Sequence, residues 1–281
     1  MPVSPALANN IALVKNYVDD PANTYAVFRQ SSLTTDLETP FVEFLGAKTM
    51  SYPVMPFSAE ALDDYSPTEG FTRKNATLER REISLTQDKG YQIGIDNQDL
   101  VNSHTTAVSY YNNNVRQKDV PSIDKYRLNA IATADGVTSV TAACTKENVF
   151  EKYDEAVKTL FDNEVPLEGT VMYVKIDVYN MFKQNPTYRR IVMNHDKDID
   201  RTLEYLDGVT KIIPVPVSRM PATTDFILVQ PRALICGTKY SIAKFITDPE
   251  DFDGVLINRR IVHDCFVQQD RAKGVYVQKN A

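Results

Sequence analysis

The sequence predicts an α+β protein, and three observations carry that reading. Stretches rich in β-branched and aromatic residues, such as Thr170 to Val178 and Val209 to Val217, alternate with helical patterns in no fixed order. One segment has the signature of an amphipathic helix: Val149, Tyr153, Ala156, Val157 and Leu160 share a face, behind Thr145 as the capping residue. No strand–helix–strand unit repeats, which separates this order from the parallel α/β folds. Of 281 residues, 43% are hydrophobic and 24% charged, the balance of a globular chain rather than a disordered one.

The first fifty residues mix apolar positions (Ile11, Leu13, Val14, Tyr17, Val18) with Pro2, Pro5, Pro21 and Pro40. Proline at that density leaves room for a short helix from Asn9 to Val18 and otherwise for extended chain. Extended apolar chain needs a surface to lie on, and a neighbouring subunit is the natural candidate. A hairpin follows, with arms at Thr49–Phe57 and Thr77–Leu85 and a turn cluster at Asp63-Asp64-Tyr65-Ser66-Pro67. Its charges are divided. Glu60, Asp63, Asp64 and Glu69 stand on one side with no base, whereas Arg73, Lys74, Arg80 and Arg81 stand on the other against Glu79 alone. Two readings fit: a solvated hairpin whose arms pair their own charges, at ~0–1 kcal/mol per exposed pair, or a protruding arm that docks on neighbours, with charge selecting partner and register.

Ile83 to Asp96 alternates as a strand, with a turn at Asp88-Lys89-Gly90. Asn102 to Ala134 reads as a long helix interrupted at Pro121. Val108, Tyr111 and Val115 share one face, and Ile123, Tyr126 and Ala130 resume the spacing afterwards. Beyond the 149–160 helix come the strand Thr170–Val178 and short helices at Tyr179–Gln184 and Ile199–Leu206. Strands follow at Val209–Val217, Asp225–Val229, Ile261–Val267 and Val275–Gln278, the last two separated by a turn at Asp270–Gly274.

Several function classes fall away. No two of the ten glycines are separated by a single residue, so the dinucleotide turn is absent, as are the Walker phosphate loop and the serine elbow. Three histidines supply no H-E-x-x-H, and no cysteine pair has zinc spacing. Cys144, Cys236 and Cys265 read as buried thiols rather than a disulfide framework. A net charge of -6 argues against a general nucleic-acid coat. No apolar run reaches the ~20 residues of a membrane span, and Met1–Val18 lacks the pattern of a signal peptide. Asp196, Asp198, Asp200 and Asp207 have calcium-loop spacing, but Arg201 stands where the sharp turn needs glycine. An acidic first turn of the Ile199–Leu206 helix explains the same residues. Asp96 and Asp99 read as a strand-end cap, and His195-Asp196 has no evident nucleophile. The expectation is no enzyme, no cofactor and no metal site.

Several segments in order resemble the major capsid proteins of tailed bacteriophages, the capsid fold of Hong Kong ninety-seven type shared with herpesviruses. They are Ser31-Ser32-Leu33-Thr34-Thr35-Asp36-Leu37; Ala61-Leu62-Asp63-Asp64-Tyr65 with Gly70; Leu85-Thr86-Gln87-Asp88-Lys89-Gly90-Tyr91-Gln92-Ile93-Gly94-Ile95-Asp96 with Asp99; and Val120-Pro121-Ser122-Ile123-Asp124-Lys125-Tyr126-Arg127. Asp207-Gly208-Val209 then leads to Val215-Pro216-Val217-Ser218-Arg219-Met220. Asp264, Phe266-Val267 and Lys273-Gly274-Val275-Tyr276-Val277 close the chain. The resemblance runs from about Ser31 onward.

That resemblance implies an N-terminal arm at residues 1–48 and an extended hairpin loop at 49–86. It implies a peripheral domain with a spine helix at 87–166 and 252–281, and an axial domain at 167–251. It implies a structural protein of the virion, made and assembled in the cytoplasm of a bacterial host. Copies associate as hexamers and pentamers into an icosahedral shell around double-stranded DNA, with no sequence-specific binding and no membrane. The partners implied are the chain itself, a separate scaffolding protein, a portal and a decoration protein. The shortness of the segment before the shared core argues against a fused scaffold. Lys74 lies where some members cross-link subunits, but no residue is marked as its partner. The expected inter-subunit contacts are Glu60, Asp63, Asp64, Tyr65, Arg73, Lys74, Arg80, Arg81, Arg127 and Arg219. An encapsulin-like compartment shell is the nearest alternative, and a calcium-dependent binding module a distant one.

Overall fold

Four strands whose alternate residues are buried on opposite faces, with a helical stripe packed against each face, set the architecture of the larger half of the molecule. The computed structural model describes residues 27–39, 43–45, 48–54, 65, 67–68, 79–185, 203, 205–207, 210–247 and 249–280. The expected Asn9–Val18 helix lies outside them.

In chain order, β1 (Glu43–Leu45), β2 (Thr49–Pro53) and β3 (Arg80–Ser84) form an antiparallel sheet with β2 in the centre. The pairing Thr49↔Ser84 through Pro53↔Arg80 is the root of the hairpin read from the sequence. β4 (Gln87–Asp96) leads into α1 (Asn97–Asn102), whose N-terminus Asp96 caps by accepting from the Gln98 amide at 2.6 Å. α2 (Ala107–Asn114) passes through a π-helical turn, Val115–Asp119, into α3 (Val120–Ala132). Pro121 sits in the first turn of α3, where a missing N–H is best tolerated; the widened turn before it is how the rod continues past the proline.

β5 (Thr138–Thr141) and α4 (Val149–Asp162) come next, then β6 (Val171–Lys175), α5 (Ile176–Gln184), the two-residue β7 (Tyr205–Leu206), β8 (Thr210–Val215) and β9 (Thr224–Val229). The chain closes with β10 (Leu234–Ile246), β11 (Gly254–Val267) and β12 (Val275–Lys279). β10, β11 and β4 make a three-stranded antiparallel sheet; the other is six-stranded, in the order β5-β12-β9-β6-β8-β7.

The six-stranded sheet is covered on both faces, which is why its strands read as continuous apolar runs. Tyr173, Ile213, Val215, Ile227, Val229 and Val277 face Leu128 and Ile131 of α3. The alternate residues Met172, Val174, Ile212, Phe226, Leu228 and Tyr276 face Val149, Tyr153, Ala156 and Leu160 of α4 and Val178 and Phe182 of α5. The three-stranded sheet buries Val255, Ile257 and Ile261 against Leu100, Tyr111, Val115 and Ile123. No helix among the described residues is long and apolar enough to cross a membrane.

Several expectations are corrected. The chain does not turn at Asp88-Lys89-Gly90; β4 runs straight through, and the break falls at Leu85-Thr86. Gly90 marks close strand approach instead, since a Cβ there would lie 2.7 Å from the Arg259 carbonyl oxygen. The helix expected to end at Leu206 is at Tyr205–Leu206 a strand paired with β8, and Asp207 follows that strand; the Asp196–Asp200 stretch lies outside the described residues. Thr145 caps the turn before α4 rather than the helix: its hydroxyl accepts from the Asn148 amide, and Asn148 is the N-cap. Cys236 and Cys265, expected as thiols, face each other across β10 and β11 and are joined as a disulfide. Cys144 remains a free thiol whose pKa burial pushes up to about 12. β12 joins the six-stranded sheet, and α4 packs on it.

Candidate functional site

Two buried carboxylates fasten residues 32–39 and Thr86 to the body of the fold. Asp124 and Arg127 lie three residues apart on α3, hence on one face, and both are 0% exposed. Asp124 accepts from the Ser32 hydroxyl at 2.6 Å, the Leu33 amide at 3.2 Å, the Thr34 hydroxyl at 2.7 Å and Arg219 Nη1 at 3.1 Å. Arg127 donates to the Thr34 hydroxyl at 3.2 Å, to Glu38 Oε1 at 3.0 Å and to the Thr238 hydroxyl at 3.0 Å. Its guanidinium lies over the Phe28 ring. Buried charges of this kind persist only when paired and hydrogen-bonded, as these are. Further along, Tyr173 donates to the Leu33 carbonyl, Lys211 pairs with Asp36, and the Thr39 amide donates to the Cys236 carbonyl. Residues 32–39 are thereby fastened to α3, to β6 and β8 of the six-stranded sheet, and to β10.

The second carboxylate is Asp264 on β11, also 0% exposed. It accepts from the Thr86 amide at 2.7 Å, the Thr86 hydroxyl at 2.8 Å, Tyr126 Oη at 2.7 Å and the Cys265 amide at 2.9 Å. Thr86 lies between β3 and β4, so this carboxylate pins the foot of the hairpin to α3. Next to it, His263 is 3% exposed, and its ring packs edge-on to Tyr126. Burial pushes its pKa down to about 4, Arg127 adding to the effect and Asp264 opposing it, so the imidazole is neutral at pH 7.

At the hairpin root the charges have partners within the chain. Arg80 reaches Glu43 at 3.1 Å and the Ser51 hydroxyl at 3.0 Å, and Arg81 reaches Asp270 at 3.0 Å. Lys48 and a two-pronged Arg260 both contact Asp88 and hold its carboxyl well below the usual range. Tyr65 is exposed. Glu60, Asp63, Asp64, Arg73 and Lys74 lie outside the described residues, as do Asp196, Asp198 and Asp200. Arg127, expected at a subunit contact, is instead wholly interior, and Arg219 is mostly buried against Asp124. Ser32, Thr34, Thr86 and Asp264 belong to segments that carry the resemblance, but nothing local to those segments shows that they converge, and Glu38 lies just beyond the first of them. The signal available was the run of polar residues at the edge of each segment. Among the described residues, no group of three or more His, Cys, Asp or Glu is placed to hold a metal ion.

No family model matches the chain, and no curated protein matches its sequence. Solved structures share its fold. The capsid structure of the cyanophage P-SCSP1u superposes with a TM-score of 0.60 at 14% identity, covering 89% of this chain and 88% of that one. The mature capsid of bacteriophage PhiM1 gives 0.56 at 13% identity, covering 84% and 82%. A virus-like particle from Pyrococcus furiosus gives 0.58 at 11% identity, covering 91% and 95%. At such identities the likeness is one of fold: this chain has the α+β architecture of phage capsid structures over nearly its whole described length.

Proposed function

We propose that the chain is a shell subunit, the major capsid protein of a tailed double-stranded DNA bacteriophage, whose copies associate as hexamers and pentamers around the genome. The observation that carries this reading is the fold match, which extends over more than four-fifths of this chain and of the capsid subunits alike. The geometry of the two carboxylate clamps supports it. They anchor residues 32–39 and Thr86, which border the arm and the hairpin that would reach other copies. Flat contacts repeated over many copies accumulate affinity without any one being tight. A net charge of -6 suits a container that must not grip its DNA.

In this role the chain works with a separate scaffolding protein, a portal and a decoration protein, and is assembled in the host cytoplasm into the virion. The test is electron microscopy of the purified protein and of virions. Closed shells, and the chain as a main virion component, support the proposal; small species under every assembly condition and absence from virions overturn it. A compartment shell is a second reading, favoured by the match to the Pyrococcus furiosus particle. Mass spectrometry of co-purifying material separates the two, because an enclosed enzyme favours the compartment and DNA with scaffold favours the phage.

A further inference from the structure

A cavity of about 230 Å³ opens between the π-helical turn, the start of α3 and the facing strands β4 and β11. Lys89, Lys118 and Arg259 bring three positive charges to its wall, against Asp119 alone. Asp119 is already engaged, accepting from Arg259 Nε at 3.1 Å. The wall therefore keeps a net positive charge. Ser122 adds a hydroxyl and Tyr91 a phenol. His263 also lines the cavity; it is 3% exposed, and among the described residues its Nδ1 has no hydrogen-bond partner. A buried ring nitrogen without a partner is costly, so a ligand or water that bonds it is stabilised there.

We propose that this cavity binds a small oxyanion of the phosphate class. A neutral imidazole protonated on Nδ1 donates to an anion oxygen, the two lysines neutralise its charge from the rim, and Ser122 supplies a further donor. The volume matches roughly seven or eight waters at ~30 Å³ each, enough for one tetrahedral anion with part of its hydration. Occupancy would join the π-helical turn to both strands across the cavity. The inference does not rest on the shell role.

The experiment is isothermal titration of the purified full chain with sodium phosphate at pH 7.5, with sodium chloride holding ionic strength constant. The expected result is saturable one-to-one binding. Lys89→Ala with Lys118→Ala should weaken it by about tenfold or more. Lys125→Ala with Lys244→Ala removes the same charge outside the cavity and should leave it unchanged. Both lysine pairs are solvent-exposed, so folding is not at issue. Absence of saturable binding, or equal losses in the two double variants, overturns the proposal, the second outcome marking a diffuse charge effect.

Discussion

Tyr126 Oη lies 2.7 Å from Oδ1 of Asp264, and through the same carboxylate α3 is joined to Thr86 at the foot of the hairpin. Tyr126→Phe removes one O–H donor while the charge stays buried. The cost expected is about 1–3 kcal/mol, read as a lower urea midpoint with unchanged slope. Hydrogen exchange at the Thr86 amide should rise with it. A silent variant would mean that solvent replaces the lost donor and that the clamp is not closed.

Asp124 gathers four donors from the N-terminal segment and from Arg219. Asp124→Ala leaves Arg219 without its anion and the Ser32 and Thr34 hydroxyls and the Leu33 amide without their acceptor. Breaking a buried pair in this way costs about 3–5 kcal/mol. Release of the segment should also speed trypsin cleavage at the exposed Arg29 well before global unfolding. Loss of stability with no change in cleavage at Arg29 would show that the segment is held by other contacts.

His263 gives the chain an acid limit. Its ordinary pKa is 6.5, and burial lowers it in the folded chain to about 4. As pH falls below 6.5, the unfolded chain takes the proton first. The stabilisation from a neutral His263 is therefore complete above pH 6.5 and lost progressively down to pH 4. The shift corresponds to about 3 kcal/mol. Denaturant melts of the parent and of His263→Gln over this window should differ in slope, the variant being the flatter; identical slopes would place the titrating group elsewhere.

Charge reversal of the hairpin separates docking from folding. Arg80 and Arg81 have in-chain partners, but these are exposed pairs stabilising by ~0–1 kcal/mol each. Changing Arg73, Lys74, Arg80 and Arg81 together to Glu should cost the fold no more than about 2 kcal/mol and yet block assembly as followed by sedimentation. Equal loss of folding and assembly would place these residues in the body of the fold.

The elements legible in the sequence are those whose signal is local. The stripe Val149, Tyr153, Ala156, Leu160 names its own helix because all four residues face one sheet. The paired arms of the hairpin, and Asp96 as a cap, follow from alternation and from short-range hydrogen bonding. β10 was not visible: Leu234-Ile235-Cys236-Gly237-Thr238-Lys239 mixes classes, and a register shift between Thr238 and Tyr240 breaks its alternation. The turn misread at Asp88-Lys89-Gly90 has the composition of a turn, and only the neighbouring Arg259 backbone explains the glycine. Arg127 looked like a surface base because its acceptors, Thr34, Glu38 and Thr238, lie about ninety residues or more away. The clamps are long-range objects; the family resemblance marked their segments, and only the fold brings the segments together.

In the proposed shell, copies of this chain complete one another. Electron microscopy of the purified full chain across concentration and crowding conditions, beside the quadruple charge-reversal variant, tests it most directly. Closed particles with hexameric and pentameric clusters are expected from the parent chain and none from the variant. Small uniform species from both, at every concentration, would contradict it.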